Sequence, residues 1–303
     1  MPYKIAIASG KGGTGKTTVS VNLYHYLNKA FKNKVQLIDC DVEEPNDLLF
    51  FEDAVREHVS PIQQQIPQID PMQCTFCKKC VEFCMFNAIS VIAAVKHAEI
   101  TASLCHSCGA CSTVCPSGAI SETACEIGTI SKYRLNNGIG LTEGRLKIGS
   151  SMQTSVIRST KRMQNSEAAL ILFDAPPGTS CPVVATIADA DFVILVTEPT
   201  PFGLHDLLLM VELLREIKIP FGIIINKTGL GNNETYQFAQ NERLKLLGEI
   251  PFSKSYAANY AVGKIMQNIP AEIEKSYLKI VDEIIIHIND DLVSCQHLSV
   301  IST

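Results

Sequence analysis

The segment that most restricts the possible folds is KIAIASGKGGTGKTTVSVNLYHYL, residues 4–27. It starts with an apolar stretch that predicts a β-strand, passes through a glycine-rich loop, and ends in a stretch with apolar residues at helical spacing. Within it, Gly10, Gly15, Lys16 and Thr17 match the G-x4-G-K-[ST] phosphate-binding loop. A strand that runs through such a loop into a helix predicts an α/β fold with a nucleotide site at the end of the strand.

The chemistry of this loop assigns roles to its residues. Its glycines allow backbone N–H groups to turn toward phosphate oxygens at the N-terminus of the following helix. We expect Lys16 to reach the β- and γ-phosphates and the Thr17 hydroxyl to bind Mg²⁺. The other loop residues predicted to contact the nucleotide are Gly10, Gly12, Gly13, Thr14, Gly15 and Thr18.

Acidic residues follow two further predicted strands. VQLIDCDVEEPN places Asp39 and Asp41 at the end of one strand, and ALILFDAPPG places Asp174 at the end of another. Acids at the carboxyl ends of parallel strands beside a phosphate loop handle Mg²⁺ and the attacking water. The alternative is that they only cap turns. Because DFVILVTEP and PFGIIINK also predict strands, the chain is expected to form one doubly wound, mostly parallel sheet.

The sequence KGGTGKTT, with its additional lysine at Lys11, resembles the deviant Walker A motif of the MinD/ParA/Mrp ATPases, which include the nitrogenase iron protein. The resemblance implies slow ATP hydrolysis by an ATP-dependent homodimer, in which Lys11 reaches the partner's phosphates. Lys11, Lys16 and Asp41 are then the implied catalytic residues, with Asp41 positioning the attacking water. Asp39 and Asp174 would serve the Mg²⁺ shell. The remaining implied nucleotide contacts are Gly178 at the γ-phosphate and Asn226 and Pro251 near the adenine.

Two similar cysteine runs lie between Asp41 and Asp174, each with the spacing C-x2-C-x2-C-x3-C. Their members are Cys74, Cys77, Cys80 and Cys84 in the first run and Cys105, Cys108, Cys111 and Cys115 in the second. Thiolates at these spacings suit iron–sulfur clusters. The alternative is zinc, but its usual pattern of two CxxC pairs about fifteen to twenty residues apart fits four cysteines per run poorly.

This repeat looks like a bacterial ferredoxin with two [4Fe–4S] clusters. The resemblance implies crossed ligand sets, in which the last cysteine of each run binds the other cluster. One set would be Cys74, Cys77, Cys80 and Cys115, and the other Cys105, Cys108, Cys111 and Cys84. Met85 departs from the pattern, because a proline usually follows the last cysteine. We therefore predict a small ferredoxin-like α+β domain over residues 62–125, inserted into an ATPase domain of residues 1–61 and 126–303.

Composition limits the remaining possibilities. The net charge of −5 over 303 residues gives no general reason to expect nucleic acid, and the basic cluster Arg158, Lys161 and Arg162 is predicted to be a solvated helix face. Twelve cysteines without a signal-peptide pattern predict a cytoplasmic protein that uses them for metal ligation or redox chemistry, not for structural disulfides. No apolar run is long enough for a membrane span, and the final NDDLVSCQHLSVIST does not resemble the MinD membrane anchor.

Three functions are compatible with these features. The first is an ATP-gated electron carrier that reduces a partner metalloprotein. The second is a metallocluster assembly or carrier ATPase like the Mrp branch, although the C-terminal CxxC of that branch is absent. The third is a ParA-like spatial organiser, which would not need the insert. The insert follows the Asp41 loop, a segment expected to move with the nucleotide. In the first two functions, this movement would couple ATP binding to the exposure or docking of the clusters.

Overall fold

The computed structural model describes residues 2–136 and 138–301, which form an α/β fold. The strands are β1 (Tyr3–Ala8), β2 (Val35–Asp39), β3 (Val55–Ile69), β4 (Ile89–Ile92), β5 (His97–Ile100), β6 (Ile120–Arg134), β7 (Gly140–Leu146), β8 (Leu170–Asp174), β9 (Phe192–Thr197), β10 (Phe221–Thr228) and β11 (Leu246–Pro251). The helices are α1 (Lys16–Ala30), α2 (Lys79–Phe83), α3 (Ala110–Val114), α4 (Gln153–Lys161), α5 (Cys181–Ile187), α6 (Pro201–Ile217), α7 (Glu234–Asn241), α8 (Lys254–Ala261) and α9 (Ala271–Ile301). Short 3-10 helices cover Asp47–Phe50, Ala93–Val95 and Ala102–Leu104.

Nine strands form one sheet in the order β11-β10-β9-β1-β8-β2-β7-β6-β3. From β11 to β7 every neighbouring pair is parallel. At the other edge β6 is antiparallel to β7, and β3 is antiparallel to β6. The doubly wound, mostly parallel sheet is therefore confirmed. β4 and β5 form a separate antiparallel pair within the cysteine-rich segment.

The central strands are covered on both faces, which explains their continuous apolar sequences. In β1, Ile5 and Ile7 belong to the core cluster that includes residues of α1 and α9. Ala6 and Ala8 point to the opposite face, into a cluster that includes residues of α4, α5 and α6. Successive side chains of a strand alternate between faces, so the segment serves both cores.

Helix α9 packs its apolar stripe on the sheet, as the spacing predicts. All five residues of this stripe, Ile273, Tyr277, Ile280, Ile284 and Ile288, are buried. Gly248 on β11 permits the close approach, because a Cβ there would lie 2.4 Å from Cγ1 of Ile280. In the described part of the chain, none of the helices combines enough length and apolar character to cross a lipid bilayer.

A long antiparallel ribbon of β3 and β6 connects the sheet to the cysteine runs. Each strand has 15 residues, and the pairing runs from Val55 opposite Arg134 to Ile69 opposite Ile120. Both cysteine runs lie between the far ends of these strands. The predicted domain limits, residues 62 and 125, fall inside the ribbon, and the division into two domains stays a prediction.

The basic cluster on α4 differs from the predicted solvated face. Arg158 and Arg162 are exposed, but Lys161 is 5% exposed. Its ammonium donates to the backbone carbonyls of Ala185, at 3.0 Å, and Thr186, and it pairs with Asp189. The last carbonyls of a helix attract a cation, and those of α5 bind the Lys161 ammonium. The spacing of residues within α4 could not predict this contact, because these carbonyls lie 24 and 25 residues further along the chain.

Candidate functional site

The predicted phosphate loop lies at the carboxyl edge of the parallel sheet and forms one wall of a cavity of about 480 Å³. The predicted site residues that line this cavity are Lys11, Gly12, Gly13, Gly15, Lys16, Thr17, Thr18, Asp41, Asn226 and Pro251. Five others support the wall from behind or beside it: Gly10, Thr14, Asp39, Asp174 and Gly178. The structure thus brings two distant segments, those of Asn226 and Pro251, to the loop.

The loop geometry depends on close backbone packing. Gly15 precedes α1 with a φ of 89°, a left-handed conformation that favours glycine, and a Cβ there would lie 2.3 Å from Nδ2 of Asn226. Asn226 in turn donates from Nδ2 to the carbonyl of Thr14 at 2.7 Å. Gly178, with a φ of 100°, donates its backbone N–H to the carbonyl of Ser9 at 2.9 Å. The loop is therefore held from two sides.

Asp174 is the centre of a buried hydrogen-bond network beneath the loop. Its Oδ1 accepts from the Lys16 ammonium and from the Ser20 hydroxyl, both at 2.7 Å, and its Oδ2 accepts from the Thr17 hydroxyl at 3.0 Å. Burial disfavours the charged ammonium, but the pairing with Asp174 outweighs it and raises the pKa of Lys16. The cation expected to meet phosphate is thus kept charged.

Asp39 organises the loop that follows β2. It is opposite Asp174 in the β2–β8 pairing, and its carboxylate accepts from the backbone N–H groups of Asp41 at 3.0 Å, Asn46 at 3.0 Å and Asp47 at 3.1 Å. Burial, followed by the charge of Asp174, raises the pKa of Asp39 to about 8. Burial also raises the pKa of Asp41 to about 6. The loop that carries Asp41 is folded around one carboxylate.

Asp47 belongs to this group, although the sequence analysis did not single it out. It is fully buried, and one of its carboxylate oxygens lies within 4.8 Å of an oxygen of Asp39 and of Asp174. Burial and the neighbouring carboxylates raise its pKa well above the usual range. Together with the Thr17 hydroxyl, these carboxylates form the oxygen-rich donor set that suits Mg²⁺.

Lys11 is held by an acid of its own chain. Its ammonium lies 2.9 Å from Oε1 of Glu198, the residue after β9. Glu198 also pairs through Oε2 with Lys227 at 2.9 Å, and Lys227 donates to the carbonyl of Gly13 at 2.6 Å. Burial would raise the pKa of Glu198, but the two lysines outweigh it and the pKa is lowered. Glu198 follows a strand in TEPTP, so the rule that found Asp174 would also have found it.

The far wall of the cavity is built from residues at the ends of β10 and β11 and from the segment that runs into α8. The wall residues that were not predicted are Lys227, Ile250, Phe252, Ser253, Tyr256, Ala257 and Tyr260. Their aromatic and apolar side chains lie next to Pro251, where the adenine was expected. Phe252, Tyr256 and Tyr260 are four residues apart, which is the spacing of one helix face, but only the packing of α8 against the sheet brings that face to the cavity.

Comparison with known proteins decides the family. Residues 5–265 match the family described as the CobQ/CobB/MinD/ParA nucleotide binding domain. The chain belongs to this family. An uncharacterized protein of Methanocaldococcus jannaschii is 34% identical over 250 residues, which cover 82% of this chain and 84% of that protein. The nucleotide-binding family predicted from the phosphate loop is therefore confirmed.

Two other known proteins resemble the chain at lower identity or over a shorter segment. The septum site-determining protein MinD of Pyrococcus horikoshii, complexed with Mg-ADP, superposes with a TM-score of 0.56 at 18% identity, over 94% of this chain and 96% of that one. This likeness shows the fold alone. An iron–sulfur cluster carrier protein of Methanococcus maripaludis is 54% identical over 44 residues, only 14% of this chain and 15% of that protein.

In this CobQ/CobB/MinD/ParA chain the cysteine runs line two separate cavities at the far end of the ribbon. One is lined by Cys74, Cys77, Cys80 and Cys115, and the other by Cys84, Cys105, Cys108 and Cys111. This grouping is the one that the ferredoxin resemblance implies, with the last cysteine of each run exchanged. The two sets of four thiols are therefore brought together by the fold, and their role as cluster ligands stays a prediction.

The backbone around the cysteines repeats as closely as their spacing. In both runs the residues on either side of the second cysteine have positive φ, and a five-residue helix follows. These positive-φ residues are Phe76 and Lys78 in the first run and Ser107 and Gly109 in the second. Non-glycine residues rarely adopt this conformation, and it concentrates at functional sites. The same left-handed backbone conformation is therefore repeated in both runs where the thiols converge.

Backbone N–H groups also point at the sulfurs. Those of Phe76, Ser107 and Ala88 lie 3.4 Å from Sγ of Cys74, Cys105 and Cys84, respectively. The N–H of Lys79 is the largest influence that lowers the pKa of Cys77 and so favours its thiolate. Such hydrogen bonds stabilise thiolate ligands and tune cluster potentials, so the cavities fit iron–sulfur groups.

Proposed function

We propose that the chain is an ATP-hydrolysing iron–sulfur protein that acts as a nucleotide-gated electron carrier to a partner metalloprotein. The observation that carries this proposal is a continuous hydrogen-bonded path from the Asp41 loop to the ribbon that bears both cysteine cavities. Membership of a nucleotide-binding family supports the first half, and the two cavities with four cysteines each support the second.

The nucleotide site has the groups that phosphoryl transfer to water requires. Lys16 and the N-terminus of α1 bind and orient the β- and γ-phosphates, and Gly178 contacts the γ-phosphate. Asp41 at the cavity wall orients the attacking water, and Asn226 and Pro251 hold the adenine side. Thr17, Asp39 and Asp174 would hold Mg²⁺, which neutralises charge on the phosphates when it is bound.

Dimerisation completes the site in this proposal. Lys11 is retained by Glu198 in the single chain, at 2.9 Å, and would transfer to the phosphates of a second copy when ATP is bound. Hydrolysis by the isolated chain is then slow, because a catalytic cation is withheld from the reaction. Phe202, which is 76% exposed and lies under the Lys11 ammonium, would be covered in the dimer.

The sulfur spacing supports iron–sulfur clusters over zinc. A tetrahedral zinc ion with bonds of about 2.3 Å brings its sulfurs to about 3.8 Å of one another. Among the described residues, the only group of three metal-binding side chains within 4.8 Å of one another is Asp39, Asp47 and Asp174, so no three cysteine sulfurs lie that close. A [4Fe–4S] cluster spreads its four thiolates, because each binds a different iron atom.

The coupling path begins directly beside Asp41. The backbone N–H of Leu146, at the end of β7, donates to the carbonyl of Val42 at 2.7 Å. The N–H of the next residue, Lys147, donates to the carbonyl of Ile127 in β6 at 2.9 Å. A displacement of the Asp41 loop therefore acts on the strand that leads to the second cysteine run.

A second contact joins the cysteine segment to the sheet domain. The Ser151 hydroxyl, just before α4, donates to the carbonyl of Ser103 at 2.5 Å, two residues before Cys105. The segment between β7 and α4 thus contacts the cluster-bearing part of the chain twice, through Lys147 at its start and through Ser151 near its end. A ligand shifts a conformational equilibrium only through different affinities for its states, and this path lets the clusters respond to such a shift.

The test is the midpoint potential of the clusters in anaerobically prepared protein with no nucleotide, with ADP and with a non-hydrolysable ATP analogue. We expect the analogue to shift the potential while both clusters stay bound; a tenfold difference in affinity corresponds to about 59 mV for a one-electron couple. Lys16→Ala, which should not bind nucleotide, is the matched control and should show no shift. Identical potentials in all three states would contradict the proposal.

A second candidate is an ATP-dependent carrier that assembles or delivers clusters. It is favoured by the local identity to proteins named iron–sulfur cluster carrier proteins. This function expects the ATP analogue to make cluster iron transferable to an apo-ferredoxin, at an unchanged potential. If neither the potential nor the transfer rate responds to nucleotide, both candidates fail.

A further inference from the structure

We propose that Asp47 completes a divalent-cation site with Asp39 and Asp174, and that the chain can load this site without nucleotide. The inference deepens the proposed function in one respect, since that function already assigns Asp39 and Asp174 to Mg²⁺. Asp47 adds a third carboxylate from the same side of the sheet. The site would take a hard divalent cation such as Mg²⁺ or Mn²⁺.

The side chain of Asp47 is buried without a partner. Its exposed fraction is 0%, and neither carboxylate oxygen accepts a hydrogen bond from any of the residues described, 2–136 and 138–301. An unpaired buried carboxylate is among the costliest groups a protein can contain. Asp47 is therefore neutral with its proton bound, or ionised beside a cation that the protein atoms do not provide.

The two neighbouring acids differ from Asp47 in this respect. Asp39 accepts three backbone N–H groups, and Asp174 accepts from Lys16, Thr17 and Ser20. One oxygen of each acid still lies within 4.8 Å of the others. Asp47 thus directs its free oxygens toward a point that two fixed carboxylates already face.

The charge balance specifies a divalent ion. Three carboxylates share this buried space with one ammonium, that of Lys16, which leaves two negative charges when all are ionised. One divalent cation neutralises them. The donors are all carboxylate oxygens, which are preferred by Mg²⁺ and Mn²⁺ over the nitrogen and sulfur donors that suit zinc or copper.

A cation here would fix the loop that carries Asp41. Asp39 already holds the backbone at both ends of this loop, at Asp41 and at Asp47. A shared ion would tie the Asp47 side chain to β2 and β8 as well. The loop would then be in its closed form before ATP arrives, so that the ion prepares the site for nucleotide.

The test uses the full-length protein, freed of nucleotide and of metal by chelation and dialysis. Mn²⁺ binding is measured by the loss of the free-ion paramagnetic resonance signal, and the Tm is measured with and without Mn²⁺. We expect wild type to bind Mn²⁺ without nucleotide, and Asp47→Asn to weaken that affinity at least ~10-fold. We also expect Mn²⁺ to raise the Tm of wild type and to leave that of Asp47→Asn nearly unchanged, because a ligand stabilises only the folded protein that binds it.

Two further variants keep the test decisive. Glu43→Gln removes an exposed charge from the same loop and should leave both readouts as in wild type. Asp47→Leu removes the carboxylate with an apolar side chain of similar size, and should lose the Mn²⁺ effect even if the amide of Asn perturbs the fold. Wild type without Mn²⁺ binding, or Asp47→Asn with the affinity and the Mn²⁺-dependent rise in Tm of wild type, would overturn the proposal. Neither readout involves ATP hydrolysis or clusters, so failure here is distinct from failure of the proposed function.

Discussion

The contact between Lys11 and Glu198 leads to a quantitative prediction. If Glu198 retains Lys11 in the single chain, Glu198→Gln should release it and strengthen ATP-dependent dimerisation. The ammonium lies 2.9 Å from Oε1, and the lysine side chain is 30% exposed whereas that of Glu198 is 12% exposed. Glutamine keeps an oxygen that can still accept from Lys227, so the phosphate loop should remain supported.

The structure sets the size of the effect. Ion pairs between exposed side chains contribute up to about 1 kcal/mol, and this pair lies near the top of that range because Glu198 is shielded from water. A homodimer releases two Lys11 side chains. At about 1 kcal/mol each, Glu198→Gln should favour the dimer by about 2 kcal/mol, which is roughly 30-fold in the dissociation constant.

Sedimentation velocity at several protein concentrations, with a non-hydrolysable ATP analogue, measures this constant. Lys227→Met is the matched control, since it removes the other lysine from Glu198 and leaves the Lys11 contact in place. It should not strengthen the dimer. The double variant Lys11→Ala with Glu198→Gln completes a mutant cycle and should show no gain over Lys11→Ala alone.

Two results would refute this reasoning. If Glu198→Gln dimerises with the wild-type constant, Lys11 does not leave Glu198 on dimerisation. If the gain persists in the Lys11→Ala background, it comes from a general loss of negative charge at the interface. Either result would remove the argument that the single chain withholds a catalytic cation.

Three other predictions concern the nucleotide site, the cysteine cavities and the core. Lys16→Ala should abolish nucleotide binding because the phosphates lose their cation, whereas Lys11→Ala should spare binding and abolish turnover; equal loss of a fluorescent ATP analogue's binding in both would contradict these separate roles. Cys77→Ser should reduce anaerobic iron content from about eight to about four per chain while ATP binding is retained, and stoichiometric zinc instead of iron would exclude the clusters. Ile284→Ala should lower the free energy of unfolding in urea by about 2–5 kcal/mol, and a loss below about 1 kcal/mol would show that α9 is not firmly packed on the sheet.

Much of the nucleotide half could be predicted because its contacts are local in sequence. Lys16 and Thr17 follow a strand and begin a helix within one short segment, so loop chemistry and hydrophobic periodicity indicate the same structure. The stripe of α9 could be predicted for a similar reason, since a buried helix face requires its own spacing. The cysteine grouping was implied by the resemblance to bacterial ferredoxins, in which the last cysteine of each run joins the other set.

The pairing of the edge strands could not be predicted in this way. β3 and β6 are separated by both cysteine runs, and no turn signal joins them. The apolar residues of β3 are Val55, Val59, Ile62, Ile66 and Ile69, which recur every three or four positions instead of alternating as in a typical strand. Their 15-residue ribbon exists because the fold brings their ends together and extends the sheet by two antiparallel strands. The ribbon carries the cysteine cavities at its far end, while backbone hydrogen bonds of Leu146 and Lys147 join the Asp41 loop to Ile127 in β6.

By itself the sequence determined the family of the nucleotide site, since that depends on a short motif, and its resemblance to ferredoxins implied the two sets of thiols. Only the tertiary structure decided which charges face one another. Asp47 has no motif, and an aspartate is ordinarily assumed to be solvated, but the closing of its loop buries it against Asp39 and Asp174. Lys11 meets Glu198 across 187 residues of chain for the same reason. Electrostatic partners are chosen by proximity in space, and proximity between distant segments is set by the packing of the whole sheet.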